Sequence, residues 1–340
     1  MNNLFRPWIH QIELFRRAAE IAGGNHVVEK LEEALSDLFH VDRRQVVLTC
    51  SGTIALNLLM QVRSTIWHVP AYGFVATINA VPQLARLRDI DPKTGWMLPG
   101  EGPSCPVAFA GCWHGRGRLA DYLRASTGPV VLDAAGILGT AMGDYVHPLR
   151  DWRLGPGSRL QGIGLSFSAT KLVSAGMGGA AIFGSANLAQ RARLRISQGG
   201  AWSDPNGPGQ TERPATNLRM GYWQAALVLS HLERRAELRD AAMECRRVYS
   251  EAYGPRSITS GPGAYQIVRT EQAREKHGKA GARWRFHRAI FNHTKWNFQR
   301  RTRGFPGAVE AERTYLYLPY GPGVTRQEAE KIIEQLGDIT

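Results

Sequence analysis

Lys171 stands alone in the stretch GLSFSATKLVSAGMGGAAIF, Gly164 to Phe183. Apolar, strand-like runs lie on both sides of it. Lysine is rarely fully buried unless paired. A desolvated lysine loses its charge readily and becomes a nucleophile. The chemistry that most often wants such a lysine is a Schiff base with pyridoxal phosphate (PLP), which also needs small hydroxyl residues and glycines around its phosphate. Ser166, Ser168 and Thr170 precede the lysine, and Gly176, Gly178 and Gly179 follow it. A lysine at a strand end with its head in water is the plainer reading of the same stretch.

Three further places add to it. A short β-branched run, Gln45 to Thr49, ends in Cys50-Ser51-Gly52-Thr53 and opens the helix-like IALNLLMQV. Backbone N–H groups and a hydroxyl at a helix start form an anion site, although Ser also serves there as an ordinary cap. Phe74 sits at a turn after the apolar run Ile66 to Val69, where an aromatic ring can pack or stack on a flat ligand. Asp133 ends the buried run Pro129 to Leu132. PLP needs a lysine for its aldehyde, an acid for its pyridine nitrogen, a stacking ring and a phosphate cradle.

The elements that must hold these residues alternate between strand-like and helix-like patterns. QIELFRRAAEIA and VVEKLEEALSDLF are helical and are broken at Gly23-Gly24-Asn25. VATINAVPQLA and Arg118 to Ala125 are read as helices, and Cys105 to Ala110 as a strand. Asn187 to Arg195 is helical, and one long helix is predicted from Tyr222 to Tyr253, ended by Gly254-Pro255. The alternation predicts an α/β fold with a mainly parallel central sheet and helices on both faces. In such sheets ligands sit beyond the carboxyl ends of the strands, where the Ser51 turn and Asp133 would lie. The division expected is a large domain over 1–250 and a smaller C-terminal α+β domain over 251–340.

The chain has 340 residues, 43% hydrophobic and 21% charged, which excludes a disordered polypeptide. No apolar run approaches a membrane span and the first residues do not read as a signal peptide, so no membrane partner is expected. Four cysteines without CxxC spacing read as reduced thiols of a cytoplasmic protein, and no metal site is expected. The net charge of +13 is concentrated: 269–303 holds eleven Lys/Arg against two acids. Trp284, Phe286, Phe291, Trp296 and Phe298 are interleaved with them. Arg283, Arg285, Arg288, Lys295, Arg300 and Arg301 are therefore candidate polyanion-binding residues. A solvated face over an aromatic core is the alternative.

The segments CSGTIALNLLM, VPAYGFVATINAV, VVLDAAGILGT, LSFSATKLVSAGMGGAAIF and TNLRMGYWQAAL, in this order, resemble the DegT/StrS group of fold-type I PLP-dependent sugar aminotransferases. The resemblance runs from about residue 5 to 250 and returns in the last thirty residues. It implies that Lys171 carries the cofactor, Asp133 pairs with the pyridine nitrogen and Phe74 stacks on the ring. It implies that Gly52, Thr53 and Ser166 hold the phosphate, with Ser51 and Ser168 beside them. Asn217 is expected to reach the phosphate of a neighbouring subunit, which makes the expected enzyme a homodimer with shared sites. The departures lie on the substrate side: Gly136 replaces a usual Gln or His, Met177 an acid, and the loop at Gly23 to His26 is short. Transamination on an anionic small-molecule substrate is the leading expectation. PLP-dependent decarboxylation of an amino-acid-modified base in nucleic acid, as in phage DNA hypermodification, is the alternative. A non-catalytic regulator on this fold is opposed by the intact Lys171 and Asp133.

Overall fold

The computed structural model describes residues 11–24, 26–61, 66–82, 84–109, 115–139, 158–200, 212–259, 263, 265–284, 287–290 and 304–339. Two amphipathic helices, α1 (Gln11–Ala22) and α2 (Val27–Phe39), lead into strand β1 (Val46–Thr49) and helix α3 (Gly52–Met60). Then come β2 (Trp67–Pro70), β3 (Tyr72–Gly73), α4 (Val75–Asn79), β4 (Ala85–Arg88), α5 (Gly115–Ala125) and β5 (Val130–Asp133). The strands flanking Lys171 are β6 (Leu160–Ser166) and β7 (Gly179–Phe183), followed by α6 (Ala186–Ile196).

All of these strands except β3 build one sheet. β1, β7, β6 and β5 are neighbours in that order, with β5 and β6 parallel and β7 antiparallel to both of its neighbours. β2 and β4 form a parallel pair, joined to β5 through bridges at Ser104 and Val107. The expected strand Cys105 to Ala110 is thus reduced to a strip of isolated bridges. Pro103 and Pro106 flank Cys105 there, and proline has no N–H for a ladder. The sheet is mainly parallel, as expected, with one reversed strand.

Side chains alternate between the two faces of the strands. Val46 and Leu48 turn to a core shared with Leu31 and Leu35 of α2 and Leu119 of α5. Val47 turns to a second core with Leu56 and Leu59 of α3 and Ala192 of α6. Helices therefore cover both faces. One expected helix is shorter than read. The one starting at Val75 stops at Asn79, ahead of Pro82, and β4 takes the residues after it.

The single helix expected from Tyr222 to Tyr253 is two: α7 (Tyr222–Glu233) and α8 (Arg235–Tyr253). Arg234 leaves helical geometry at φ −103°, ψ 18°. No Gly or Pro marks the break. Its reason is tertiary: Ala225, Val228 and Leu232 pack in the first core, whereas Leu238, Cys245 and Tyr249 pack in another. That other core is built with an antiparallel sheet of β8 (Gln266–Arg269), β9 (Arg283–Trp284) and β11 (Tyr315–Leu318), in the order β8-β11-β9. The closing helix α10 (Arg326–Leu336) packs on α8 beside it; α9 (Pro306–Thr314) precedes β11 and β10 (Arg288–Ala289) precedes α9. The far side of this small sheet meets the large one. Ile267, Tyr315 and Tyr317 pack with Ala71, Tyr72 and Phe109, and β10 pairs with β3, Ala289 facing Tyr72.

Candidate active site

At the carboxyl ends of the strands lies a cleft of about 460 Å³. Ser51, Gly52 and Thr53 line it from the start of α3, Phe74 and Thr77 from α4, and Asp133 from the end of β5. Ser166, Ser168, Thr170 and Lys171 line it from the β6–β7 connection. Eight of the nine residues expected to hold a cofactor or do chemistry thus converge. The ninth, Asn217, lies elsewhere in the same chain, in a pocket with Glu32, Arg193 and Tyr222; its side-chain oxygen accepts from Arg219 Nε at 3.3 Å.

The phosphate-type cradle follows from close approach. The Ser51 side chain accepts from the Ile54 backbone N–H at 3.3 Å and caps α3. A Cβ on Gly52 would come to 2.7 Å from Ser166 Cβ, so only glycine lets the helix start touch β6. Gly179 is equally confined, since its Cβ would meet Gly52 N at 2.5 Å. The lysine loop is tied by its own backbone. Lys171 N–H donates to the Ser168 carbonyl at 3.0 Å, and Ala169 N–H to the Gly176 carbonyl at 3.1 Å.

Asp133 is 4% exposed. Thr77 Oγ1 donates to its Oδ2 at 2.7 Å, and the Ala135 N–H to its Oδ1 at 3.1 Å. Burial raises its pKa above the ordinary carboxylate value; the Thr77 and Ala135 hydrogen bonds and the Lys171 charge pull the other way. Each oxygen retains capacity for a second bond. The residues present therefore fit PLP: a buried carboxylate with acceptor capacity left, a lysine in the same cleft, and a helix N-terminus with hydroxyls. Phe74 is 62% exposed at the cleft edge, and its ring meets that of His287 with centroids 6.1 Å apart.

Several lining residues carry no local signal in the sequence. Lys171 Nζ stands 5.4 Å from the ring centre of Tyr265, and Phe109 and His287 close the same side. Tyr265 directly precedes β8 of the small sheet, and His287 directly precedes β10, which pairs with β3. Thr77 follows Phe74 by one helical step of three residues, which places both near one face. Gly136 and Met177 also line the cleft, Met177 at 62% exposure.

Of the candidate polyanion-binding residues, Arg285, Lys295, Arg300 and Arg301 lie outside the described residues, and Arg288 is described for its backbone alone. Arg283 is half-buried on β9. Among the described residues, no group of three or more His, Cys, Asp or Glu is placed to hold a metal ion. Cys50, Cys105 and Cys245 are free thiols. No helix among the described residues is long and apolar enough to cross a membrane.

Residues 105–260 match the model of the DegT/DnrJ/EryC1/StrS aminotransferase family. No curated protein matches the chain in sequence. A DegT/DnrJ/EryC1/StrS aminotransferase from Brucella abortus superposes with a TM-score of 0.78 at 18% identity, over 96% of each chain. The apo form of Spr1654 from Streptococcus pneumoniae gives 0.78 at 19% identity, over 99% of this chain and 97% of that one. That protein also matches in its PMP and PLP forms. DesI, solved with its TDP-sugar product, gives 0.74 at 21% identity, over 96% and 89%. With that fold along nearly its whole length and the family's pattern across the segment that carries Asp133 and Lys171, the chain is an aminotransferase-like enzyme resembling the DegT/DnrJ/EryC1/StrS family.

Proposed function

We propose that the protein is a PLP-dependent aminotransferase that moves an amino group to or from an anionic small molecule of the nucleotide-sugar kind. The observation that carries this reading is the convergence of Lys171, Asp133 and the Ser51-Gly52-Thr53 helix start on one cleft. The Spr1654 forms with PMP and PLP and the DesI complex with a TDP-sugar support it by likeness of fold. Bound PLP supplies an aldehyde that joins to an amine and a ring that withdraws electrons. Lys171 would hold the cofactor through its aldehyde and would carry a proton between substrate and cofactor carbons through Nζ. Asp133 accepts the pyridine N–H and favours the protonated ring. Ser51, Gly52, Thr53, Ser166 and Ser168 bind the phosphate through hydroxyls and backbone N–H groups. Phe74 covers the ring. Asn217 completes the site of a second copy of the chain.

The test is optical. Purified protein with PLP is expected to absorb in the visible, and L-glutamate to bleach that band. Lys171→Ala is expected to slow bleaching by about 10²–10⁴-fold or more. A band indifferent to every amino donor would sink transamination; no band at all would sink the cofactor assignment.

Two basic residues in the described part of the basic segment are engaged within the protein. Arg269 pairs with Glu310 at 2.7 Å, and Lys276 donates to the backbone carbonyls of Leu336 and Asp338. This favours the small-molecule reading over action on nucleic acid. A DNA gel shift abolished by salt and by neutralising Arg283, Arg285 and Arg288 would reverse that preference.

A further inference from the structure

Tyr265 is fixed in the wall of the cleft from more than one side. It directly precedes β8 and is buried. Its backbone carbonyl accepts from Arg246 Nη2 at 2.7 Å. Arg246, on α8, is itself 2% exposed, and its guanidinium carbon lies 4.5 Å from the ring centre of Tyr320. The Tyr265 ring meets those of His287 and Tyr317 at steep angles, with centroids 5.2 and 6.0 Å away. Backbone and ring are both held. Lys171 Nζ stands over that ring, 5.4 Å from its centre.

A lysine ammonium within about 6 Å of a ring centre is attracted by the negative face of the ring, more strongly where water is excluded. Among the described residues, Lys171 Nζ makes no ion pair and no hydrogen bond, and the Asp133 carboxylate acts on it through its field alone. The Tyr265 face is thus the contact that sets where a free Nζ sits. On joining PLP, Nζ bonds to the aldehyde carbon. The aldehyde oxygen leaves as water with two of the ammonium hydrogens, and nothing is oxidised or reduced. That bond consumes the compact ammonium, so the contact with the ring belongs to the free lysine.

We propose that Tyr265 is a positioning residue whose ring face seats the charged Nζ of Lys171 whenever the lysine is not joined to the cofactor. A lysine released during the reaction is then kept inside the cleft at a set place. The seat stands on the ring contact alone; its part in the reaction rests on the PLP reading above. Because the ring precedes β8 and is pinned through Arg246 of α8, the small-sheet region supplies the seat for a lysine that the large sheet carries.

The first experiment is ¹H–¹³C spectroscopy of protein labelled at the lysine ε carbon, without PLP, with Lys171 assigned by its loss in Lys171→Arg. Protons over a ring face resonate upfield, so the Lys171 ε-methylene is expected upfield of the other lysines. Tyr265→Phe is expected to keep that shift and Tyr265→Leu to abolish it. A wild-type Lys171 signal among the other lysines, or a shift that survives Tyr265→Leu, overturns the seat. The second experiment is PLP titration followed by the visible band. Losing the seat removes a contact of the free lysine only, so Tyr265→Leu is expected to bind PLP roughly 3- to 30-fold more tightly. A ring that merely packs would give the opposite sign. Phenylalanine fluorinated on the ring, placed at 265, weakens the negative face at nearly constant shape and answers the same question if Tyr265→Leu does not fold. Its affinity is expected to rise with the number of fluorines. A band present with affinity unchanged or lowered in these variants overturns the part in the reaction. Absence of any band in wild type removes that part together with the PLP reading, while the PLP-free spectra still decide the seat.

Discussion

At the scale of single residues, the site depends on how Asp133 is buried. Burial lifts its pKa in the folded chain above the unfolded value, so protonation is favoured by folding. Its stabilising contribution is present in full below the unfolded pKa, about 4, and is lost as pH rises through the folded value. Asp133→Asn removes that loss. Without cofactor, the variant is therefore expected to gain in melting temperature relative to wild type as the pH is raised from about 4 towards 7. Melting curves across that window check it, and a difference that stays flat or runs the other way would count against the burial account. Asp133 itself was legible in the sequence, because a carboxylate ending an apolar run is unusual. Its partner Thr77 was not singled out, since a threonine in a helix has many uses. His287 appeared only as one of three histidines in a basic stretch.

At the scale of elements, the contact that decides the most is that of α3 with β6. Gly52 fits because it has no Cβ, and the atom in the way would be Ser166 Cβ at 2.7 Å. Gly52→Ala is expected to cost about 1–3 kcal/mol in stability, the usual range for overpacking a tight site, and to weaken PLP binding in parallel. Denaturant unfolding and PLP titration measure the two; a variant with unchanged affinity for PLP would separate this turn from the phosphate. Helix and strand identities in this region follow from local pattern, with the turn residues where chain direction changes. Elements depart from their local pattern where tertiary demand exceeds local preference. The helix around Arg234 breaks because its two halves serve different cores, and no residue type there announces it.

At the scale of the whole molecule, the cleft is a joint product of two sheets. The large sheet brings Lys171, Asp133 and the α3 start together. The small one brings Tyr265, and the separate pairing of β10 with β3 brings His287. Asn217 is held away from this cleft in its own chain, which is the arrangement required if it serves a second copy. Mixed dimers of Lys171→Ala and Asn217→Ala chains are then expected to recover activity, because each hybrid contains one site with both residues intact. Kinetics of refolded mixtures read this out; mixtures no more active than either variant alone would place Asn217 outside the shared site.

Sequence alone determined the cofactor-type constellation and the class of fold. Both are written in local form: apolar runs of strand length, a Ser-Gly-Thr helix start, a strand-terminal acid, and one lysine in a glycine-rich connection. Only the tertiary structure decided which further groups enter the cleft. His287 arrives through the pairing of β10 with β3, which joins segments more than two hundred residues apart, and Tyr265 precedes β8, which pairs with β11; such pairings leave no periodic trace in either segment.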